Sequence, residues 1–148
     1  MEQNKVDIER LLEDGQRIQI KPQGYSMYPM FVPDRDEAVI DRAEPARLKK
    51  GDVVLYRRDG GILVLHRICK IRGNDFYMVG DNQKEVEGPL RADQLKGVLI
   101  GFIRNGKYCS AKNPVYRAAS RLWLFLRPLR PALSGSAAAI KRLFKRNK

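Results

Sequence analysis

Asp52-Val53-Val54-Leu55-Tyr56-Arg57, Ile62-Leu63-Val64-Leu65-His66-Arg67-Ile68-Cys69-Lys70-Ile71 and Phe76-Tyr77-Met78-Val79 form the stretch on which the fold is decided. These runs are rich in β-branched, apolar and aromatic residues. Asp59-Gly60-Gly61 and Gly73-Asn74 separate them, the chemistry of chain reversals between antiparallel strands. Working outward, residues 17–20, 38–41 and 98–103 have the same character. They are set off by Pro22, Gly24, Pro33-Asp34, Lys50-Gly51-Asp52 and Gly80-Asp81-Asn82. The pattern predicts a mainly β fold, a compact antiparallel domain over residues 16–110.

The ends read differently. Residues 4–14 place Ile8, Leu11 and Leu12 at helical spacing, and Gly15 follows where helices commonly stop, so residues 1–15 are expected to hold a short N-terminal helix. After Asn113-Pro114 the composition turns to Arg, Ala and Leu, with Val115, Ala119, Leu122 and Leu126 at helical spacing. A second stretch over 137–148 has Ile140, Leu143 and Phe144 on one side and Lys and Arg on the rest. Residues 111–148 therefore read as a tail of basic amphipathic helices.

The 148 residues, 43% of them hydrophobic, suit one domain with a single core. The net charge of +12 is unevenly spread: up to Asp93 there are 16 basic and 17 acidic residues, and from Gln94 onward 13 basic and none acidic. Such a tail seeks an anionic surface. Arg121, Trp123, Phe125, Arg127, Lys141, Arg142, Phe144 and Lys145 are expected to lie in the interface of an anionic membrane, with nucleic acid the less favoured partner. Two cysteines, Cys69 and Cys109, are too few for a disulfide framework and stand at no metal-ligand spacing, so no metal or cofactor is expected. The charged start is not a secretory signal, and no apolar run approaches the roughly 20 residues of a spanning helix. A cytoplasmic or membrane-peripheral location is expected. Oligomeric state is left open.

Three segments carry chemistry. Gly24-Tyr25-Ser26-Met27-Tyr28-Pro29 sets a serine on a turn between predicted strands, where its hydroxyl can be presented. His66, the only histidine, lies on a strand, and its imidazole titrates in the range that suits taking a proton from a serine. Gly80-Asp81-Asn82 offers a carboxylate at a strand end, able to hold an imidazole in its base tautomer. Taken singly, each has a plain structural alternative: a turn serine, a half-buried strand histidine, an aspartate closing a turn on its own backbone.

Together the segments resemble the type I signal peptidase superfamily, which includes the self-cleaving LexA-like repressors. The Ser-Met-x-Pro box at Ser26 to Pro29, the Lys-Gly-Asp-Val-Val run from Lys50 to Val54, the Gly-Asp-Asn box and the Gly-x-Ile/Val strand ending at Gly97 to Phe102 match in order. The likeness spans roughly residues 17–107. Common bacterial members have lysine where this chain has His66 before Arg67-Ile68; histidine marks the endoplasmic-reticulum, archaeal and sporulation-type members.

The resemblance implies a serine endopeptidase that removes a leader or signal segment, with Ser26 as nucleophile and His66 as general base. Asp81 is implied as the orienting acid, with Glu87 of Lys84-Glu85-Val86-Glu87 as a substitute. It further implies an extended substrate strand added to a sheet edge, near Gly24, Tyr25, Met27, Tyr28 and Pro29, with Met30 and Phe31 completing an apolar groove. Where many relatives have a serine two residues before the nucleophile, this chain has Gly24. Backbone N–H groups, including that of Ser26, would then bind the oxyanion. Two other readings stay open: a non-enzymatic β module whose basic tail binds membrane or nucleic acid, and a LexA-like regulator that cleaves itself. Few residues precede the serine box, and histidine replaces such a regulator's lysine.

Overall fold

The structure, a computed structural model, describes residues 7–22 and 24–126. Asp7 opens helix α1 (Ile8–Glu13) by accepting from the Arg10 amide at 3.2 Å, the usual service of an N-cap aspartate. Leu12 on its inner face is buried in the core.

Among the described residues eight strands follow: β1 (Ile18–Ile20), β2 (Asp36–Arg42), β3 (Val53–Arg57), β4 (Leu63–Arg72), β5 (Asp75–Val79), β6 (Glu87–Leu90), β7 (Leu95–Arg104) and β8 (Lys107–Ser110). They form one antiparallel sheet in the order β1-β2-β7-β3-β4-β5-β6, with β8 pairing the far end of β7. The mainly antiparallel β fold expected from the sequence is therefore the fold observed. Two strands escaped the sequence pattern. Strand β6 reads Glu-Gly-Pro-Leu, the composition of a turn. It stands at the sheet edge, where a proline's missing N–H deprives no neighbour of a hydrogen bond.

Strand β3 explains why its sequence is continuously apolar. Alternate residues face opposite sides of a sheet. Val53 and Leu55 enter one apolar cluster with Leu12, Met27, Phe31 and Phe102, while Val54 and Tyr56 enter a second with Ile68, Phe76 and Met78. A strand covered on both faces has no polar side to show.

Two features of the pairing bear on function. Strand β4 pairs with β3 through Leu63 to Arg67, but β5 joins its other side only from Arg67 onward. The stretch from Leu63 to His66 thus keeps an open edge among the described residues. Strand β1 pairs with β2 alone and is open on its outer side.

The long connection from β1 to β2 is tied down by Asp36. Its carboxylate accepts from Arg104 Nε at 2.8 Å, Arg35 Nη2 at 2.9 Å and the Val32 amide at 2.8 Å, while Arg104 also donates to the Met30 carbonyl at 2.9 Å. Burial alone would raise the Asp36 pKa, but these donors bring it down to about 2.

Helix α2 (Pro114–Phe125) is capped by Asn113, whose Oδ1 accepts from the Val115 and Tyr116 amides at 2.9 and 3.3 Å. The helix was legible, but its buried face is not the one the aliphatic spacing marks. Ser120 and Leu124 are buried, Tyr116 joins the first apolar cluster, and the Trp123 indole N–H donates to the Asp81 carbonyl at 2.7 Å. Val115 and Leu122 face water. Residues 114–125 are thus packed onto the β domain through the buried face. Among the described residues no helix is long and apolar enough to cross a membrane. The stretch 137–148 lies outside the described residues.

Candidate active site

Ser26 sits in the connection between β1 and β2, half-buried between anchored neighbours. Met27 and Phe31 are driven into the core, and the Phe31 amide closes a turn on the Met27 carbonyl at 2.9 Å. Gly24 has φ of 74°, a left-handed conformation that glycine adopts readily and a serine would not.

The Gly80-Asp81-Asn82 turn lies directly against this segment. The Asn82 amide donates to the Ser26 carbonyl at 2.8 Å. A Cβ added to Gly80 would stand 2.6 Å from that same oxygen, so only glycine permits the approach. Two boxes far apart in sequence are thus one docked unit.

His66 is 3% exposed. Its Nδ1 lies 3.1 Å from the Tyr56 hydroxyl, which donates to Glu87 Oε2 at 2.6 Å. Arg58 grips the same carboxylate, Nε to Oε1 at 2.8 Å and Nη2 to Oε2 at 3.0 Å. Burial alone would raise the Glu87 pKa, yet the Arg58 and Tyr56 hydrogen bonds hold it below the usual carboxylate range. Burial and the bond to Glu87 push the Tyr56 phenol up, so it keeps its proton. Tyr56 has one proton and spends it on Glu87. Its oxygen must therefore accept from His66, which places the imidazole proton on Nδ1 and leaves Nε2 with a lone pair. Burial, with the Arg58 charge assisting, pushes the His66 pKa down against the opposing pull of Glu87 and Asp81. The imidazole is neutral at neutral pH, the form a general base requires.

Ser26 and His66 line one cleft of about 470 Å³, together with Gly24, Met27, Phe31, Leu63 and Leu65. His66 is paired opposite Val54 and shares a face with Tyr56, while Leu63 and Leu65 pack against the first apolar cluster on the other face. The cleft is therefore walled by residues of both faces of β4, whose edge is open there. No hydrogen bond joins Ser26 to His66, and the Ser26 hydroxyl has no partner among the described residues. A second cleft, about 600 Å³, shares His66 and Arg58 and continues past Glu87. Of the expected substrate contacts, Gly24 and Met27 line the first cleft. Tyr25, Tyr28 and Pro29 lie outside its lining, with the Tyr25 and Tyr28 rings edge to face at 6.4 Å and exposed.

Asp81 occupies a different place from the one expected of an orienting acid. Both its oxygens are held by Arg67, Nε to Oδ1 at 2.8 Å and Nη2 to Oδ2 at 2.9 Å, and both side chains are buried. Arg67 also donates to the Gly51 carbonyl at 2.8 Å and to the Tyr116 hydroxyl at 3.4 Å. Burial opposes the Arg67 charge, but its bonds to Asp81 prevail and raise its pKa. The group on the His66 ring is Tyr56, with Glu87 behind it. Sequence reasoning reached Glu87 only as a substitute and did not reach Tyr56.

The tail residues divide as well. Trp123 is engaged with Asp81, Arg121 and Phe125 are exposed, and Arg127, Lys141, Arg142, Phe144 and Lys145 lie outside the described residues. Among the described residues no group of three His, Cys, Asp or Glu side chains is gathered to hold a metal, and no disulfide joins Cys69 to Cys109. No family model matches this chain, and no curated protein matches it.

Proposed function

We propose that the chain is a serine endopeptidase of signal peptidase type, cutting a leader or signal segment from a peptide or protein. The observation that carries this reading is the shared cleft: a turn serine and an imidazole with its Nδ1 already engaged line one depression between open strand edges.

In the proposed reaction an extended substrate segment lies along the open edges of β1 and β4, its main chain taking the place of a strand. The Ser26 hydroxyl turns toward His66 Nε2 and attacks the peptide carbonyl carbon as Nε2 takes its proton. The Ser26 amide, which makes no backbone hydrogen bond among the described residues, would hold the negative oxygen of the tetrahedral intermediate. The C–N bond breaks as the imidazolium returns the proton to the departing amine. Water, deprotonated by His66, then releases the acyl group from Ser26. Throughout, the Tyr56 oxygen fixes the ring, and the Glu87 charge behind it favours the transient imidazolium.

The apolar wall of Leu63, Leu65 and Met27 favours apolar side chains in the substrate strand. The proposal includes a cytoplasmic or membrane-peripheral place of action, which cell fractionation would test. The decisive experiment compares peptide termini in cells carrying the wild type, Ser26→Ala or His66→Ala. A terminus present in the wild type and lost in both variants, with the fold intact by circular dichroism, is the expected result. Identical termini in all three would end the peptidase reading.

A further inference from the structure

Helix α2 has a second face that its packing does not use. Tyr116, Ser120, Trp123 and Leu124 turn toward the sheet. Val115, Leu122 and Phe125 are 78%, 58% and 79% exposed. At 3.6 residues per turn these three fall on one stripe, roughly 150° around the helix from the packed residues, with Ala118 between them. Lys112, just before the helix, and Arg117 and Arg121, on the flank beyond Phe125, are exposed, and from Gln94 to the end of the sequence no acidic residue occurs.

We propose that the Val115–Leu122–Phe125 face of α2 docks on an anionic lipid bilayer, its apolar side chains entering the interface and Lys112, Arg117 and Arg121 reaching the headgroups. Charge complementarity selects this occupant. A second copy of the chain would bring like-charged helices together with no carboxylate in either segment to offset them. Nucleic acid would satisfy the cations but leave Val115, Leu122 and Phe125 in water. A bilayer answers both: hydrocarbon for the stripe and anionic headgroups for the flanking cations, whose long stems let the charge stay at the surface. The face differs from the one expected from aromatic content, because Trp123 is bound to the domain through the Asp81 carbonyl. Docking does not depend on Ser26. It does fix the bilayer on the helix that braces the Asp81 turn, whose next residue, Asn82, holds the Ser26 carbonyl.

The test is co-sedimentation of the full chain with vesicles of phosphatidylcholine alone and of phosphatidylcholine mixed with phosphatidylserine. The wild type is expected to pellet with the mixed vesicles only. Leu122→Glu with Phe125→Glu should weaken that partition roughly tenfold or more, since two large apolar side chains are lost from the interface. Trp123 fluorescence and circular dichroism check the fold. Should the glutamate pair disturb it, Leu122→Ala with Phe125→Ala gives the same comparison with a smaller loss. Ser26→Ala should bind as the wild type does, which separates this surface from the peptidase reading. Undiminished vesicle binding by a folded stripe variant would assign attachment to the rest of the basic segment and overturn the proposal. So would wild-type protein that ignores the mixed vesicles, whether it instead self-associates or binds an RNA homopolymer through the stripe.

Discussion

Two buried polar arrangements sit one residue apart on β4, and they are built to opposite ends. Arg67 is matched by Asp81 with two parallel hydrogen bonds and by the Gly51 carbonyl, and both charges are sealed from water. His66 has one ring nitrogen matched by Tyr56 and the other left over, at the wall of a cleft. A satisfied ion pair can do nothing further without breaking; it fixes the Asp81 turn and, through Asn82, the Ser26 segment. A half-satisfied imidazole keeps a lone pair to spend. The difference separates framework from a group free to react where the sequence shows only two adjacent polar residues, His66 and Arg67, and an aspartate in a distant turn, Asp81.

The sharpest way to break this division is to remove each arrangement in turn. If the chain is the proposed peptidase, His66→Ala should lower cleavage by about a thousandfold or more, at a cost of about 1–3 kcal/mol in stability for the lost packing and the lost bond to Tyr56. Asp81→Asn should act chiefly on stability. It leaves the Arg67 charge buried without its counter-charge, at a cost of about 3–5 kcal/mol in stability, read as a fall in the midpoint of denaturant unfolding. Replacing both partners, Arg67→Met with Asp81→Leu, should recover most of that loss, since neither charge then remains to be buried. A stable Asp81→Asn protein as inactive as His66→Ala would return Asp81 to the role of orienting acid and dissolve the contrast.

The sheet was legible because β3, β4 and β5 announce themselves by apolar runs cut by Gly-rich turns, and that signal is local. The serine box and the Gly-Asp-Asn box were also visible, but their relation was not: Gly80 is needed for close approach to the Ser26 carbonyl, a contact between distant parts of the chain. Asp81 was assigned from the Gly-Asp-Asn box and the family resemblance, neither of which shows that the alternation of β4 points Arg67 to the face opposite His66 and toward Asp81. Tyr56 could have been found. The hairpin is centred on Gly60, with Val54 opposite His66 and Tyr56 opposite Val64, so Tyr56 is the diagonal neighbour of His66, and their ring centroids are 6.0 Å apart. What no spacing marks is which face of α2 packs. Val115 and Leu122 carry the stronger aliphatic pattern, yet Tyr116 and Trp123 win the interface because their polar tips find Arg67 and the Asp81 carbonyl.

A finer cut probes the chemical half from within. Tyr56→Phe keeps the ring and deletes the hydroxyl between His66 and Glu87. The imidazole then has a buried N–H with no acceptor and no fixed tautomer. Turnover should fall by about ten- to a hundredfold with little change in KM, and stability by about 1–3 kcal/mol for the unsatisfied groups. An equal loss of kcat/KM carried entirely by KM would make Tyr56 a wall of the cleft and not a positioning residue.

The smallest effect is the most diagnostic, because only an electrostatic link would produce it. With burial holding the His66 pKa below its ordinary value of about 6.5, kcat/KM should rise with pH through an inflection below that point and then level, as the imidazolium gives way to the base. Glu87→Gln retains an acceptor for the Tyr56 hydroxyl but removes a negative charge that favours the imidazolium. The His66 pKa should therefore drop further, and the acid limb of the profile should move to lower pH with the plateau nearly unchanged. A limb that stays in place would mean that the Glu87 charge does not reach the base, and one that moves upward would mean that the group titrating in catalysis is not His66.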